Sequence, residues 1–127
     1  MTVINPPAAT DHTVSNATAT WTGEAQIYAF TADHSGYWWA VGFVEMLTGS
    51  GVQTIRLRFA GAQVAIATFD MGAPGNHIYT DPPVHYLGLI TAGQTIQLTG
   101  QAASGAGQNT PSSSLWCGFV PAPGYIR

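Results

Sequence analysis

Side chains that ionise, bind metals or attack electrophiles are sparse in this chain. The four histidines are His12, His34, His77 and His85. No two stand at the i, i+2 spacing that would aim two metal ligands from one face of a strand. Asp33–His34 and Asn76–His77 read instead as turn residues. The six acids, Asp11, Glu24, Asp33, Glu45, Asp70 and Asp81, are scattered. Glycoside hydrolysis needs two carboxylates across a cleft; Glu24 and Glu45 are available, but nothing local brings them together. Gly-x-Ser-x-Gly, a phosphate-binding P-loop and a dinucleotide fingerprint are all missing. The single cysteine, Cys117, can form no internal bridge and has no basic neighbour in the sequence to activate it. It reads as a small buried hydrophobe. The expectation is a protein that is not an enzyme, with no cofactor and no metal.

Two further patterns bear on ligands. Asn16-Ala17-Thr18 is a formal glycosylation sequon, read as chance because no secretion signal precedes it. Trp21, Trp38, Trp39 and Tyr79 are candidates for a sugar-stacking platform, although aromatics on alternating strands more often form core.

Charge is low throughout: 7% of the 127 residues, no lysine, and cations at Arg56, Arg58 and Arg127. A net charge of −3 without a basic patch argues against nucleic acid as a partner. Charge keeps monomers apart in solution, so a chain this poor in it suits a place inside a larger assembly. The longest apolar run, Tyr37–Val44, ends at Glu45, well short of the ~20 residues of a membrane helix. The start MTVINPPAATDH has neither the basic region nor the apolar core of a secretory leader, so synthesis in a cytoplasm is expected.

The elements that must carry any site read as strands. Fifteen glycines and eight prolines fall between apolar runs, and no window keeps a helical period. Residues 1–20, rich in Pro, Ala and Thr, read as an extended N-terminal arm, with the domain proper over 21–127. Strands are expected at Ala25–Thr31, at Tyr37–Leu47, and at Thr54–Ala60 with Ile55, Leu57 and Phe59 inward. Further strands are expected at Gln63–Asp70 with Val64 and Ile66 inward, at Val84–Ile90, at Gln94–Thr99, and at Leu115–Val120. Along Tyr37–Leu47, Tyr37, Trp39, Val41 and Phe43 share one face, and Trp38, Ala40, Gly42 and Val44 the other. Both are apolar, so this strand is expected to be covered on both sides. The fold class is all-β: an antiparallel jelly-roll sandwich of about eight to ten strands.

Three stretches, in order, carry a resemblance. HSGYWWAVGFV, LITAGQTIQLTGQ and SSSLWCGFV resemble successive strands of the tumour necrosis factor and complement globular-head superfamily, over roughly residues 25–120. In the last, Trp116 takes the first aromatic place, Cys117 the small residue, Gly118 the glycine and Phe119 the second aromatic. Gln94 stands where that superfamily usually has an acid, and the arm has no counterpart. The resemblance implies a jelly roll that assembles as a homotrimer, with the closing strand near the subunit contact. Bacteriophages also use such jelly rolls on their virions, and this lysine-free, Ala/Gly/Thr-rich composition is similar to that of phage structural proteins.

The candidate subunit-interface residues are Trp38, Trp39, Phe43, Tyr86, Trp116 and Phe119. Leu115, Cys117 and Phe119 on one face of the closing strand would fill the core while Trp116 and Val120 on the other meet a neighbour; which face does which is left open. The expected function is a homotrimeric capsid decoration protein of a phage virion. Its partners would be the major capsid protein or other virion proteins, with no nucleic acid and no membrane. The alternative is a tail-tip or fibre-head domain that binds a host-surface glycan.

Overall fold

In a computed structural model, the described residues are 12–15, 20–49, 51–70, 78–80, 82–103, 106–109 and 113–120, and among them there is no helix. The strands are β1 (His12–Ser15), β2 (Thr20–Trp21), β3 (Ala25–Thr31), β4 (Gly36–Phe43), β5 (Glu45–Gly49) and β6 (Val52–Phe59). They continue with β7 (Ala62–Asp70), β8 (Ile78–Tyr79), β9 (Val84–Ile90), β10 (Thr95–Ala102), β11 (Gly107–Asn109) and β12 (Ser114–Val120).

Strict apolar alternation in Val52–Phe59 dictates a strand with one buried face. Ile55, Leu57 and Phe59 are buried, and Thr54, Arg56 and Arg58 face outward. The neighbouring strands obey the same period, and the result is two four-stranded sheets, β1-β12-β4-β9 and β3-β10-β6-β7. Every pairing within them is antiparallel. The partners nest: β1 lies beside β12, β3 beside β10, β4 beside β9 and β6 beside β7. That nesting of early with late strands is the winding of a jelly roll. A smaller sheet, β2-β11-β5-β8, adds to the two.

Between the sheets lie Trp38, Ala40, Ile55, Leu57, Ile96, Leu98, Leu115 and Cys117, all at most 1% exposed. Buried polar groups are paired, as burial requires. Trp21 Nε1 donates to Gln53 Oε1 at 3.0 Å, and the Tyr28 hydroxyl donates to the Ser113 carbonyl at 2.6 Å.

The expected strands are present, with four differences. First, Tyr37–Leu47 is not one strand. Val44 N–H donates to Thr80 Oγ1 at 3.1 Å and Val44 O accepts from Thr80 N–H at 3.0 Å. That pairing ends β4 at Phe43 and sends β5 into the small sheet. Second, Gly107–Asn109 forms β11 between the expected strands Gln94–Thr99 and Leu115–Val120. Third, β7 carries a register shift opposite Leu57/Arg58, and the extra residue is Val64. A bulge of one residue inverts the alternation beyond it. Ala65, Ala67 and Phe69 therefore face the core, and Ile66 points out, 50% exposed.

Fourth, parts of the expected arm over 1–20 pair with the sheets. His12–Ser15 pairs with Ser114–Cys117 as the edge strand of the first sheet, and Thr20–Trp21 belongs to the small sheet. Backbone pairing holds these segments although they offer few large apolar side chains. The remainder of the expected arm, residues 1–11 and 16–19, lies outside the described residues.

Candidate assembly face

Register across the first sheet sets which side chains stand together on its outer surface. Val120, Tyr37 and Leu89 form one row, Gly118, Trp39 and Leu87 the next, and Trp116, Val41 and His85 a third; Ser114 pairs with Phe43 beyond them. None of these residues is an acid, a lysine or an arginine. Tyr37 is 46% exposed, Leu87 58%, Leu89 67% and Trp116 39%, while Trp39, Val41, Phe43 and Val120 are half-buried. Such a run of contiguous apolar side chains on one sheet face is unusual for a free monomer.

Gly118 shapes this face. A β-carbon there would overlap the indole of Trp39, so the ring lies in the space a side chain at 118 would take. The glycine in the closing strand lets a large aromatic pack down onto the sheet from outside.

The six interface candidates divide. Trp39, Phe43 and Trp116 stand on the outer surface. Trp38 and Phe119 do not: they are 1% and 6% exposed and belong to this chain's own core. Their rings meet edge-on at 5.6 Å between centroids. Phe30 lies 5.4 Å from Trp38, and His34 lies 5.0 Å from Phe119. Trp38 Nε1 donates to the His34 carbonyl at 2.9 Å. Leu115, Cys117 and Phe119 are thus the core face of the closing strand, and Trp116 and Val120 the outer one. Tyr86 pairs with inward Ala40, and its ring packs edge-on against Phe59 at 5.0 Å, so it closes the gap between the sheets at their open side. Tyr37, Leu87 and Leu89 are outer-face residues that sequence reasoning missed. In β9 both alternating sets hold large apolar residues, so alternation alone could not rank them.

The outer surface of the second sheet is the reverse. Arg58 donates to Glu24 through Nε at 2.6 Å and through its terminal nitrogen at 2.8 Å, and the Thr99 hydroxyl adds a third bond at 2.7 Å. Arg56 donates to Gln63 at 2.9 Å and to Gln101 at 2.5 Å, and Gln97 donates to Gln26 at 2.9 Å. The hydrogen bond from Arg58 is the main reason that the Glu24 carboxyl is held down at about 2; burial opposes it, and the Thr99 hydroxyl and the charges of Arg58 and Arg56 add to it. Charge on this face is already satisfied within the chain.

The sugar-stacking set does not assemble. Trp21 and Trp38 are buried, Trp39 lies on the outer face of the first sheet, and the Tyr79 side chain lies outside the described residues. Burial pushes the Cys117 thiol up to about 12, away from any nucleophilic form. Among the described residues no three His, Cys, Asp or Glu side chains converge.

The winding and the two unlike faces define an antiparallel jelly-roll protein. No protein-family model and no curated protein matches the sequence. Solved structures do share the fold. The tumour necrosis factor Eiger of S. frugiperda aligns with a TM-score of 0.54 and 8% identity over 92% of this chain and 94% of that one. A chain in the structure of infectious bursal disease virus strain Gx aligns with a TM-score of 0.54 and 14% identity over 92% of this chain. This chain spans about a third of that viral chain's length, 34%. At such identities the likeness is one of fold.

Proposed function

We propose that this chain is a non-enzymatic structural protein of a phage virion, a homotrimeric decoration protein bound to the major capsid protein. The outer face of the β1-β12-β4-β9 sheet is then the contact between copies. The observation that carries the reading is the sidedness of the sandwich. One outer face is uncharged and apolar around Tyr37, Trp39, Leu87, Leu89 and Trp116, whereas the other binds its own charges. Burying the apolar face between copies removes it from water, and interfaces are enriched in such aromatic residues. The resemblance of the closing strand to the tumour necrosis factor superfamily supports three as the copy number. The fold likeness to a viral chain and the low overall charge support a place in a particle. A glycan-binding tail domain is the less favoured reading, because the aromatics it would use are split between core and outer face.

Light scattering after size exclusion tests the assembly. A mass near three times 13.3 kDa is the expected result. A single-chain mass at concentrations on the order of micromolar overturns it.

A further inference from the structure

A second surface is left unused by that reading. β7 is the edge strand of its sheet, and among the described strands it pairs with β6 alone. Along this edge runs a groove of about 320 Å³. Ala65–Phe69 form one wall, and Thr80, Pro82, Pro83, Val84 and His85 the other. Exposed strand edges invite pairing with another chain, and proteins usually blunt them with lysine, proline or bulges. β7 holds no lysine and no proline, its bulge at Val64 leaves 65–70 regular, and its one charge, Asp70, is at the end. The groove thus lies along an unblunted strand edge, and among the described residues that line it none is an acid, a lysine or an arginine.

We propose that this groove receives the N-terminal segment of another copy of the chain, with Thr2–Asn5 added to the free edge of β7 as an extra strand. The sequence ahead of β1 fits the site. Thr2, Val3 and Ile4 are consecutive β-branched residues, and no acidic or basic side chain occurs before Asp11. Pro6-Pro7 cannot donate to a ladder and so ends the pairing after Asn5. From His12, a span of ~11 extended residues reaches up to about 36 Å. β1 lies at the edge of its sheet opposite β9. A path to its own β7 over the first sheet would cross the outer face proposed above as the contact between copies, so the choice of another copy rests on that reading. A strand exchanged this way ties subunits together through main-chain hydrogen bonds, the mode of β-strand addition. Each short added strand is weak alone and gains from the effective concentration that assembly supplies.

Paired cysteines test it. A chain carrying Val3→Cys is co-expressed with a chain of different tag length carrying Ile66→Cys, and the full-length product is mildly oxidised. Native Cys117 is buried and stays out of the reaction. A disulfide-linked pair of unlike chains is expected, and none when Gln97→Cys, on the same outer face but on the interior strand β10, replaces Ile66→Cys. No link in a protein that still weighs three chains overturns the strand exchange and leaves the trimer standing. A double variant, Val3→Cys with Ile66→Cys, that closes its bridge within one chain also overturns it, since the segment then returns to its own edge. No link together with a single-chain mass removes both readings.

Discussion

Replacing Leu87 and Leu89 together with threonine should weaken assembly while leaving the fold intact. Both lie on the outer side of edge strand β9 and are 58% and 67% exposed, so the isolated chain gains little from them. Threonine brings the β-branched character that suits a strand. Burying a whole leucine is worth about 1.5–3 kcal/mol, so covering the exposed part of each gains about 1–2 kcal/mol. Losing both costs about 2–4 kcal/mol per subunit contact, roughly a 30-fold to 800-fold weaker association. Folding stability should move by no more than about 0.5 kcal/mol, as is usual for surface positions. Sedimentation equilibrium over a range of concentrations reads the association, and urea unfolding at concentrations where both proteins are monomeric reads the fold. Gln97→Thr on the opposite outer face serves as the control and should leave the mass unchanged. If the double variant associates as tightly as the parent while folding normally, the apolar face is not the contact.

Other perturbations separate the parts of the reading. Gly118→Ala should lift the Trp39 ring off the sheet, shift tryptophan fluorescence and cost roughly 1–3 kcal/mol, the range for overpacking; unchanged emission would show that the ring does not rest on Gly118. Glu24 is held at about 2 against an ordinary 4.5, so its stabilisation is complete above pH 4.5 and disappears as pH falls from there through 2. Glu24→Gln should therefore unfold more easily than the parent at pH 6, by roughly 1 kcal/mol for a pair near the surface, and match it at pH 2 in urea titrations. Deleting residues 1–11 should leave the fold of the isolated chain intact and weaken the ties between copies. Extending the deletion through residue 16 removes β1, bares the edge of β12 and should lower the melting temperature by several degrees; equal melting of the two deletions would mean that β1 adds nothing to the sandwich.

Much of the fold is legible in the residues. Ile55, Leu57 and Phe59 alternate with Thr54, Arg56 and Arg58, and period two with one polar set allows a single solution. The same period sorts Trp38, Ala40 and Gly42 to one face of β4. What it cannot do is say which of two apolar faces is core, and so Trp38 and Phe119 were grouped with Trp39 and Trp116. That choice is made by the opposing sheet, whose strands lie far away in sequence. In β7 a single extra residue, Val64, inverts the pattern beyond it, and nothing in Gln63–Asp70 marks where the partner strand slips. β1 escaped notice because an edge strand needs backbone partners more than apolar side chains. The break at Val44 depends on Thr80, a partner 36 residues on, which no local pattern reveals.

The two outer faces also argue against a free-standing receptor-like role. On the second sheet Glu24 takes three hydrogen bonds from Arg58 and Thr99, and Arg56 is bound by Gln63 and Gln101. Charges satisfied internally offer a partner little, because a new ion pair would have to replace an existing one. That face is suited to meet water. The first sheet offers no charge and leaves several large side chains uncovered, so water is a poor neighbour for it and a second apolar surface a good one. Selection for a soluble monomer would have placed lysine or glutamate at positions such as 87 and 89, where the backbone accepts any side chain and the core would not notice. Leucine at both positions is therefore understandable if the surface is covered for most of the protein's working life.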